Sequence, residues 1–416
     1  MQNNNHQNKK IKRKLKYPLK FQAFLMIVIF AFIILFFNFF GFALEDIDFS
    51  KEENRNLTQR PSLNLASITD GSYAKNVDSY YSDQFFLRNS WIRLKVKLDL
   101  LCGKRESNGV FIGKDDYLME IPADPDPDWL DKNLASIAGF AERHADKRIV
   151  MSVVPNSAFI LAEKVPTYAY VRDQAQDEKI ISEKIGEKVD FVEMTDTLRN
   201  HADEYIFYKT DHHWTSLGAK YVFENMTESL GINEPVSDYD VYPVSNDFSG
   251  SMASKSGYQT TFDEITIMVP RTSNDNDRYN NPEITPEDSA EKKQSDPNRF
   301  VVQYPDNRET CSLYHSAALQ EKDQYTVFLG GNYSRLDIQT LNDNDRCLLL
   351  IKDSYANCFV QFLIPYYEKI VLIDPRYYYD EIEQVIAKEQ ITDILFLYNM
   401  NTFLEDRSLA DVLTVN

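Results

Sequence analysis

Within Phe207-Tyr208-Lys209-Thr210-Asp211-His212-His213-Trp214-Thr215-Ser216, a carboxylate and two imidazoles stand side by side. The chain has only six histidines, so this pair concentrates its proton-transfer capacity in one place. An imidazole held at one ring nitrogen by a carboxylate can take a proton at the other from a nucleophile. Asp211 with His213, or Asp211 with His212, supplies that pair. No nucleophile stands nearby in sequence; the best candidate is Ser354, in Lys352-Asp353-Ser354-Tyr355. A metal is the other use for Asp211 with His212 or His213, but no third ligand stands at useful spacing, so neither a metal nor another cofactor is implied. Structural uses weigh against the chemistry. Asp211 fits a helix N-cap, Trp214 a core, Asp353 and Ser354 a cap, and Arg376 and Asn399 the closing of loops.

The elements that must position these groups read as α/β. After the histidines, Trp214, Leu217, Tyr221, Val222, Met226 and Leu230 recur at helical spacing, and Tyr205–Tyr208 reads as a strand feeding in. Further on, three strand–helix units follow one another. Strand 346–351 ends at Asp353-Ser354, strand 369–373 ends at Asp374-Pro375-Arg376, and strand 393–398 ends at Asn399. Helices are expected over 359–367 and 381–389. Upstream, a helix over 130–145, a strand over 148–155, a helix over 177–186 and a strand over 189–192 continue the alternation. Such alternation predicts a doubly wound parallel sheet, whose ligands bind beyond the carboxyl ends of the strands. Residues 237–323 break the pattern and read as a β-rich insertion, with a surface loop at 273–298. Gly330-Gly331-Asn332, after an expected strand at 325–329, lacks the second half of a nucleotide fingerprint.

Charge is unevenly placed. Seven basic residues precede the first acid, Glu45, and the remainder carries 38 basic against 64 acidic side chains, a net of −26. Such a body does not bind nucleic acid by charge. Phe21 to Leu44 is apolar except for Gln22 and Asn38, long enough to cross a bilayer. The basic flank keeps the N-terminus cytoplasmic and exports the body. Gly41-Phe42-Ala43-Leu44 is a poor cleavage site, which favours an uncleaved anchor over a signal peptide. The expected organisation is a basic tail (1–20), a transmembrane anchor (21–44), a tether and helical segment (45–105) and an α/β domain (106–416) with its insertion. Export permits disulfides, but Cys102, Cys311, Cys347 and Cys358 show no pairing or metal spacing.

Asp211-His212-His213-Trp214 before a helix, a strand ending in Asp353-Ser354, and strands ending in Asp374-Pro375-Arg376 and Asn399 together resemble the SGNH hydrolase-like domain of the alginate O-acetyltransferase group. The pattern looks closest to the bacterial family named after the DHHW motif, which Asn54-Arg55-Asn56-Leu57, Tyr81-Ser82-Asp83-Gln84-Phe85 with Arg88, and Asn108-Gly109-Val110 also match. The resemblance implies a circularly permuted order with Ser354 as nucleophile, His213 as general base and Asp211 as the orienting acid. Asn399, Arg376 and His212 are the candidate oxyanion and substrate-binding residues. Two departures stand out: Lys352 replaces the usual glycine before Asp-Ser, and Arg376 occupies about the place of the oxyanion glycine. The implied activity is that of a membrane-anchored extracytoplasmic O-acetyltransferase or acetylesterase acting on a cell-surface polysaccharide. Its implied partner is a multispanning membrane-bound O-acyltransferase. The alternative is a non-catalytic glycan-binding or scaffolding protein of the envelope, a reading that Lys352 favours and that 25 tyrosines would serve by sugar stacking.

Overall fold

The computed structural model describes residues 19–50, 52–53, 55–271 and 299–414. The chain divides into two compact units, Met1–Ser50 with Arg55–Leu94, and Lys51–Asn54 with Lys95–Asn416. In the first, α1 (Leu19–Ala43) is apolar but for Lys20, Gln22 and Asn38, and the Asn38 side chain donates back to the Ile34 carbonyl at 2.8 Å, so its N–H is satisfied within the helix. Residues Lys20–Gly41 are long and apolar enough to cross a membrane. Beyond a short helix (Leu65–Thr69) come α2 (Ser72–Asp83) and α3 (Arg88–Leu101), the last of which runs on into the second unit. Asp83 ends α2 and gathers four donors: the Arg55 guanidinium at 3.0 and 2.5 Å, and the Thr58 N–H and hydroxyl, each at 2.9 Å. The two N-terminal motifs noted in the sequence therefore meet in one ion pair.

The second unit is built on an eight-stranded sheet. The sheet strands and the helices that bear on the site, in chain order, are α4 (Pro127–Arg143), β1 (Arg148–Val154), α5 (Gln174–Ile185), β2 (Asp190–Phe191), α6 (Ser216–Met226), α7 (Ser251–Ser256), β3 (Phe300–Gln303), β4 (Glu309–Thr310), β5 (Arg335–Thr340), β6 (Cys347–Lys352), α8 (Ala356–Phe359), β7 (Lys369–Ile373), α9 (Ile382–Lys388), β8 (Asp393–Asn399) and α10 (Met400–Glu405). The strands lie in the order β4-β3-β5-β7-β6-β8-β1-β2. The run β7-β6-β8-β1-β2 is parallel, while β5, β3 and β4 add antiparallel at one edge.

Both faces of the parallel part are covered, which is why its strands read as unbroken apolar runs. Leu348 and Leu350 of β6 point into one core with Val222 and Phe223 of α6. Leu349 and Ile351 point into the other, with Ile137 of α4, Ile181 of α5 and Val385 of α9. Each such side chain contributes roughly 2 kcal/mol on burial. The four from Leu348 to Ile351 make β6 a rigid mount for whatever follows it.

Several expected elements take a different form. Tyr205–Tyr208 makes only a bridge, Phe207 to Trp214, because the chain turns straight back through Asp211. Helix α6 starts at Ser216, capped by the Thr215 hydroxyl on Gly218 N–H at 3.3 Å, so Asp211 is not its cap. The expected strand at 325–329 is a 3₁₀ turn, Gln324–Val327. The helix expected over 359–367 ends early in 3₁₀ turns, since Pro365 lacks a donor and disfavours helix at Ile364. The insertion is not a separate body: it supplies β3 and β4 to the main sheet. It also supplies an antiparallel pair, Tyr239–Phe248 with Asp263–Pro270, that carries α7 between its strands. The loop expected at 273–298 lies outside the described residues.

Candidate active site

Ser354 sits in the turn leaving β6 at the carboxyl edge of the sheet, and the turn is fixed by Asp353 beneath it. The Asp353 carboxylate is fully buried and accepts Tyr355 N–H and Asn399 N–H, both at 2.9 Å, tying the ends of β6 and β8 together. Burial raises its pKa, with Arg376 opposing. The Ser354 N–H makes no hydrogen bond among the described residues.

The histidine turn comes to this edge by two reciprocal pins. The Trp214 indole N–H donates to the Tyr355 carbonyl at 2.9 Å, and the Tyr355 hydroxyl donates to the His212 carbonyl. Trp214 is thus both core and tether. Between the pins, His213 Nε2 lies 2.8 Å from Ser354 Oγ, and His213 Nδ1 lies 2.5 Å from Asp211 Oδ1. Asp211 Oδ1 also accepts the His213 N–H at 3.0 Å. With the carboxylate on Nδ1, the ring carries its proton there and presents Nε2 as an acceptor to the serine hydroxyl.

Asp211 and His213 are nearly inaccessible, at 3% and 5% exposure, and Ser354 is half-buried. Burial disfavours charge on Asp211, but His212, His213 and the hydrogen bonds outweigh it and hold the carboxylate well below the usual range. Burial and the neighbouring His212 lower His213 to about 4, with Asp211 pulling the other way. Above that value the imidazole is neutral and able to accept a proton. Tyr325 completes the clamp. Its ring stacks on His213 at 3.7 Å and 10°, and its hydroxyl donates to the Ser354 carbonyl at 3.1 Å.

The profile of the DHHW protein family matches residues 131–373. The chain belongs to the DHHW family. Probable alginate O-acetylase AlgJ of Pseudomonas aeruginosa is similar over 178 residues at 25% identity, covering 40% of this chain and 45% of that protein. The chain therefore spans less than half the length of that relative. Among solved structures, a DHHW family protein from Eubacterium siraeum aligns with TM-score 0.58 and 22% identity over 74% of this chain and 95% of its own. PatB1 of Bacillus cereus, solved with a sulfonyl adduct, aligns with TM-score 0.56 and 16% identity over 73% of this chain and 98% of its own. The fold is thus SGNH-like and shared.

The remaining expected site residues of this DHHW chain fall around the relay rather than in it. The His212 ring lies 3.9 Å from that of His213, tilted by 39°, and its Nδ1 faces Ser251 Oγ at 2.8 Å. Arg376 forms a two-pronged pair with Asp374 at 2.8 and 2.6 Å. The Asn399 side chain donates to the Val154 carbonyl at 3.3 Å and caps α10 through Asn401 N–H at 3.0 Å. No hydrogen bond among the described residues joins Arg376 or Asn399 to Ser354. The ligand atoms of Asp211, His212 and His213 lie within 4.8 Å of one another. Ligands about 2.1 Å from one zinc ion stand more than 3 Å apart at a tetrahedral angle. The 2.5 Å contact between Asp211 and His213 is a hydrogen bond and too short for neighbours in such a shell.

The insertion supplies partners that no sequence pattern singled out. Asp211 Oδ2 accepts both the Ser251 N–H and its hydroxyl at 2.8 Å. Gly250 must stay bare, because a Cβ there would stand 2.3 Å from Asp211 Cβ. Asp263 receives Lys209 N–H and Thr210 N–H, each at 2.7 Å, together with the Thr210 and Tyr205 hydroxyls, and so anchors the segment leading into Asp211. Lys352 also finds a place. It points to the same sheet face as Leu348 and Leu350, 1% exposed, and donates to Asn357 Oδ1 at 2.6 Å and Asn332 Oδ1 at 3.4 Å. Asn357 in turn donates to Asn332 at 3.1 Å. The lysine therefore lies under the Gly330-Gly331-Asn332 turn. The four cysteines are unpaired.

Proposed function

We propose that this protein is a membrane-anchored, extracytoplasmic O-acetyltransferase or acetylesterase acting on a cell-surface polysaccharide, with Ser354, His213 and Asp211 as nucleophile, base and orienting acid. The observation that carries the reading is the unbroken line from Asp211 Oδ1 through His213 to Ser354 Oγ, at 2.5 and 2.8 Å. Ser354 Oγ attacks the acetyl carbonyl as its proton passes to His213 Nε2. Asp211 holds the resulting imidazolium. The Ser354 N–H faces the oxyanion, a donor worth roughly 3 kcal/mol in comparable sites. His213 returns the proton to the leaving oxygen, and an acetyl-serine remains. A sugar hydroxyl, deprotonated by His213, then takes the acetyl group; water in its place gives hydrolysis.

Likeness to AlgJ and PatB1 supports acyl chemistry of this kind, and the name of the first points to a polysaccharide. Asn399 and Arg376 stay candidates for the acyl or substrate end, because Asn399 keeps one amide hydrogen spare and Arg376 is part exposed beside Asp353. A multispanning membrane-bound O-acyltransferase is the proposed acetyl source, and α1 with its basic flank is the proposed anchor, cytoplasmic at its N-terminus. Lys352, which favoured a non-catalytic reading, leaves the Ser354 turn undisturbed.

The test is Ser354→Ala. Labelling by a sulfonyl fluoride should vanish, and surface O-acetyl content should fall to that of a deletion strain. Acetyl content equal to wild type with normal protein level would overturn the proposal.

A further inference from the structure

The segment just beyond α1 carries an apolar face that a water-soluble surface does not need. Phe85, Leu87, Trp91 and Leu94 are each more than 40% exposed. They run from the turn before α3 along one stripe of that helix, and the sequence extends the same spacing to Leu98 and Leu101. Leu87 is held at φ 56, a conformation that glycine or asparagine would adopt with less strain, and its side chain still faces outward. The stripe starts against the end of α1. Phe40 stacks on Phe86 at 4.5 Å and 23°, Phe37 stacks on Phe85 at 4.9 Å and 20°, and Phe37 meets Trp91 edge-on at 6.1 Å. Aromatic rings at such an exit are suited to the boundary between acyl chains and headgroups.

Charge follows the same line. From Arg88 to Lys97 there are four bases and no acid, in a body whose net charge is −26. Lys95 pairs with Asp99 at 3.1 Å, one turn further on. An amphipathic helix with tryptophan and leucine on one face and lysine and arginine beside them lies in the interface plane.

We infer that α3, with Phe85-Phe86-Leu87 leading into it, is an in-plane membrane helix that seats on a phosphate-headgroup leaflet where α1 leaves the bilayer. The apolar stripe enters the acyl boundary, and Lys95 and Lys97 beside it face anionic lipid. The inference rests on α1 being a membrane anchor. Its consequence is that the second contact holds the chain against the bilayer surface instead of leaving it on a free tether.

The experiment uses the full chain in vesicles of equal parts phosphatidylcholine and phosphatidylglycerol, with or without brominated acyl chains. The chain has three tryptophans, Trp91, Trp129 and Trp214. Brominated lipid should quench part of the emission, and Trp91→Phe should remove that quenchable part. Quenching unchanged by Trp91→Phe, or absent from both proteins, overturns the inference when alkaline carbonate leaves the chain in the vesicles. Release of the chain by carbonate overturns the anchor reading and this inference with it.

Discussion

His212 takes no direct part in the proposed proton relay, yet it stands beside the base. Its ring is 3.9 Å from His213, and its electrostatic influence is the second cause, after burial, of the lowered His213 pKa. In the proposed mechanism the working form of His213 is the neutral imidazole. The kcat/KM for a nitrophenyl acetate ester should therefore be level from neutrality downward and fall only as pH drops through about 4. In His212→Gln that influence is gone, so protonation of His213 becomes easier and the acid limb should move to higher pH. A limb that stays in place would mean that burial and Asp211 set it alone. Ser251 acts one bond further out. Ser251→Ala strips one of two donors from Asp211 Oδ2 and leaves the backbone N–H. A hydrogen bond to a charged group is worth about 1.5–3 kcal/mol, so kcat should fall about tenfold or more with KM little changed.

At the level of elements, much of the catalytic edge was legible. Strands β6, β7 and β8 lie within one residue of their expected bounds, since both faces are buried and polar residues punctuate each end. A carboxylate–imidazole pair at Asp211 was legible from the residues, but spacing left His212 and His213 open, and only the family resemblance favoured His213. The support from the insertion was not legible. Asp263 and Ser251 reach back 53 and 40 residues to Thr210 and Asp211, and no periodicity marks such a contact. Asp263→Asn turns two acceptors into one and faces an amide N–H toward a backbone donor. It should cost about 3 kcal/mol of stability in urea titrations and loosen the relay, lowering kcat in the folded variant. Lys352 makes a second prediction about its own turn. Burial, the largest cause, with Arg376 assisting and Asp374 and Asp353 opposing, pushes its amine down to about 8. An unfolded lysine titrates near about 10.4. Between these values the unfolded chain binds more protons, so stability should rise with pH across that window by about 3 kcal/mol and be lost again as pH falls through 8. Lys352→Met should lack the rise. An equal rise in both proteins would remove Lys352 as its source.

For the whole molecule, the relevant quantity is the net charge of −26 outside the basic N-terminal tail, because it acts on any polymer that approaches the catalytic edge. A neutral glycan feels little of this field. A uronic-acid or phosphate polymer is repelled, and the repulsion is long-ranged only at low salt, with a screening length of about 30 Å at 0.01 M and about 10 Å at 0.1 M. The sign of the salt effect therefore reports the substrate class. For an anionic polysaccharide, kcat/KM should rise severalfold between these two salt concentrations, while a small neutral acetyl ester shows no change through the same Ser354. For a neutral polysaccharide both should be flat. A rate that falls with salt on an anionic polymer would point instead to a local basic groove overriding the field, and Arg376 at the carboxyl edge is the first residue to change in that case. Arg376→Gln would then abolish the fall, whereas under simple repulsion it would leave the salt dependence of the polymer reaction rising as before.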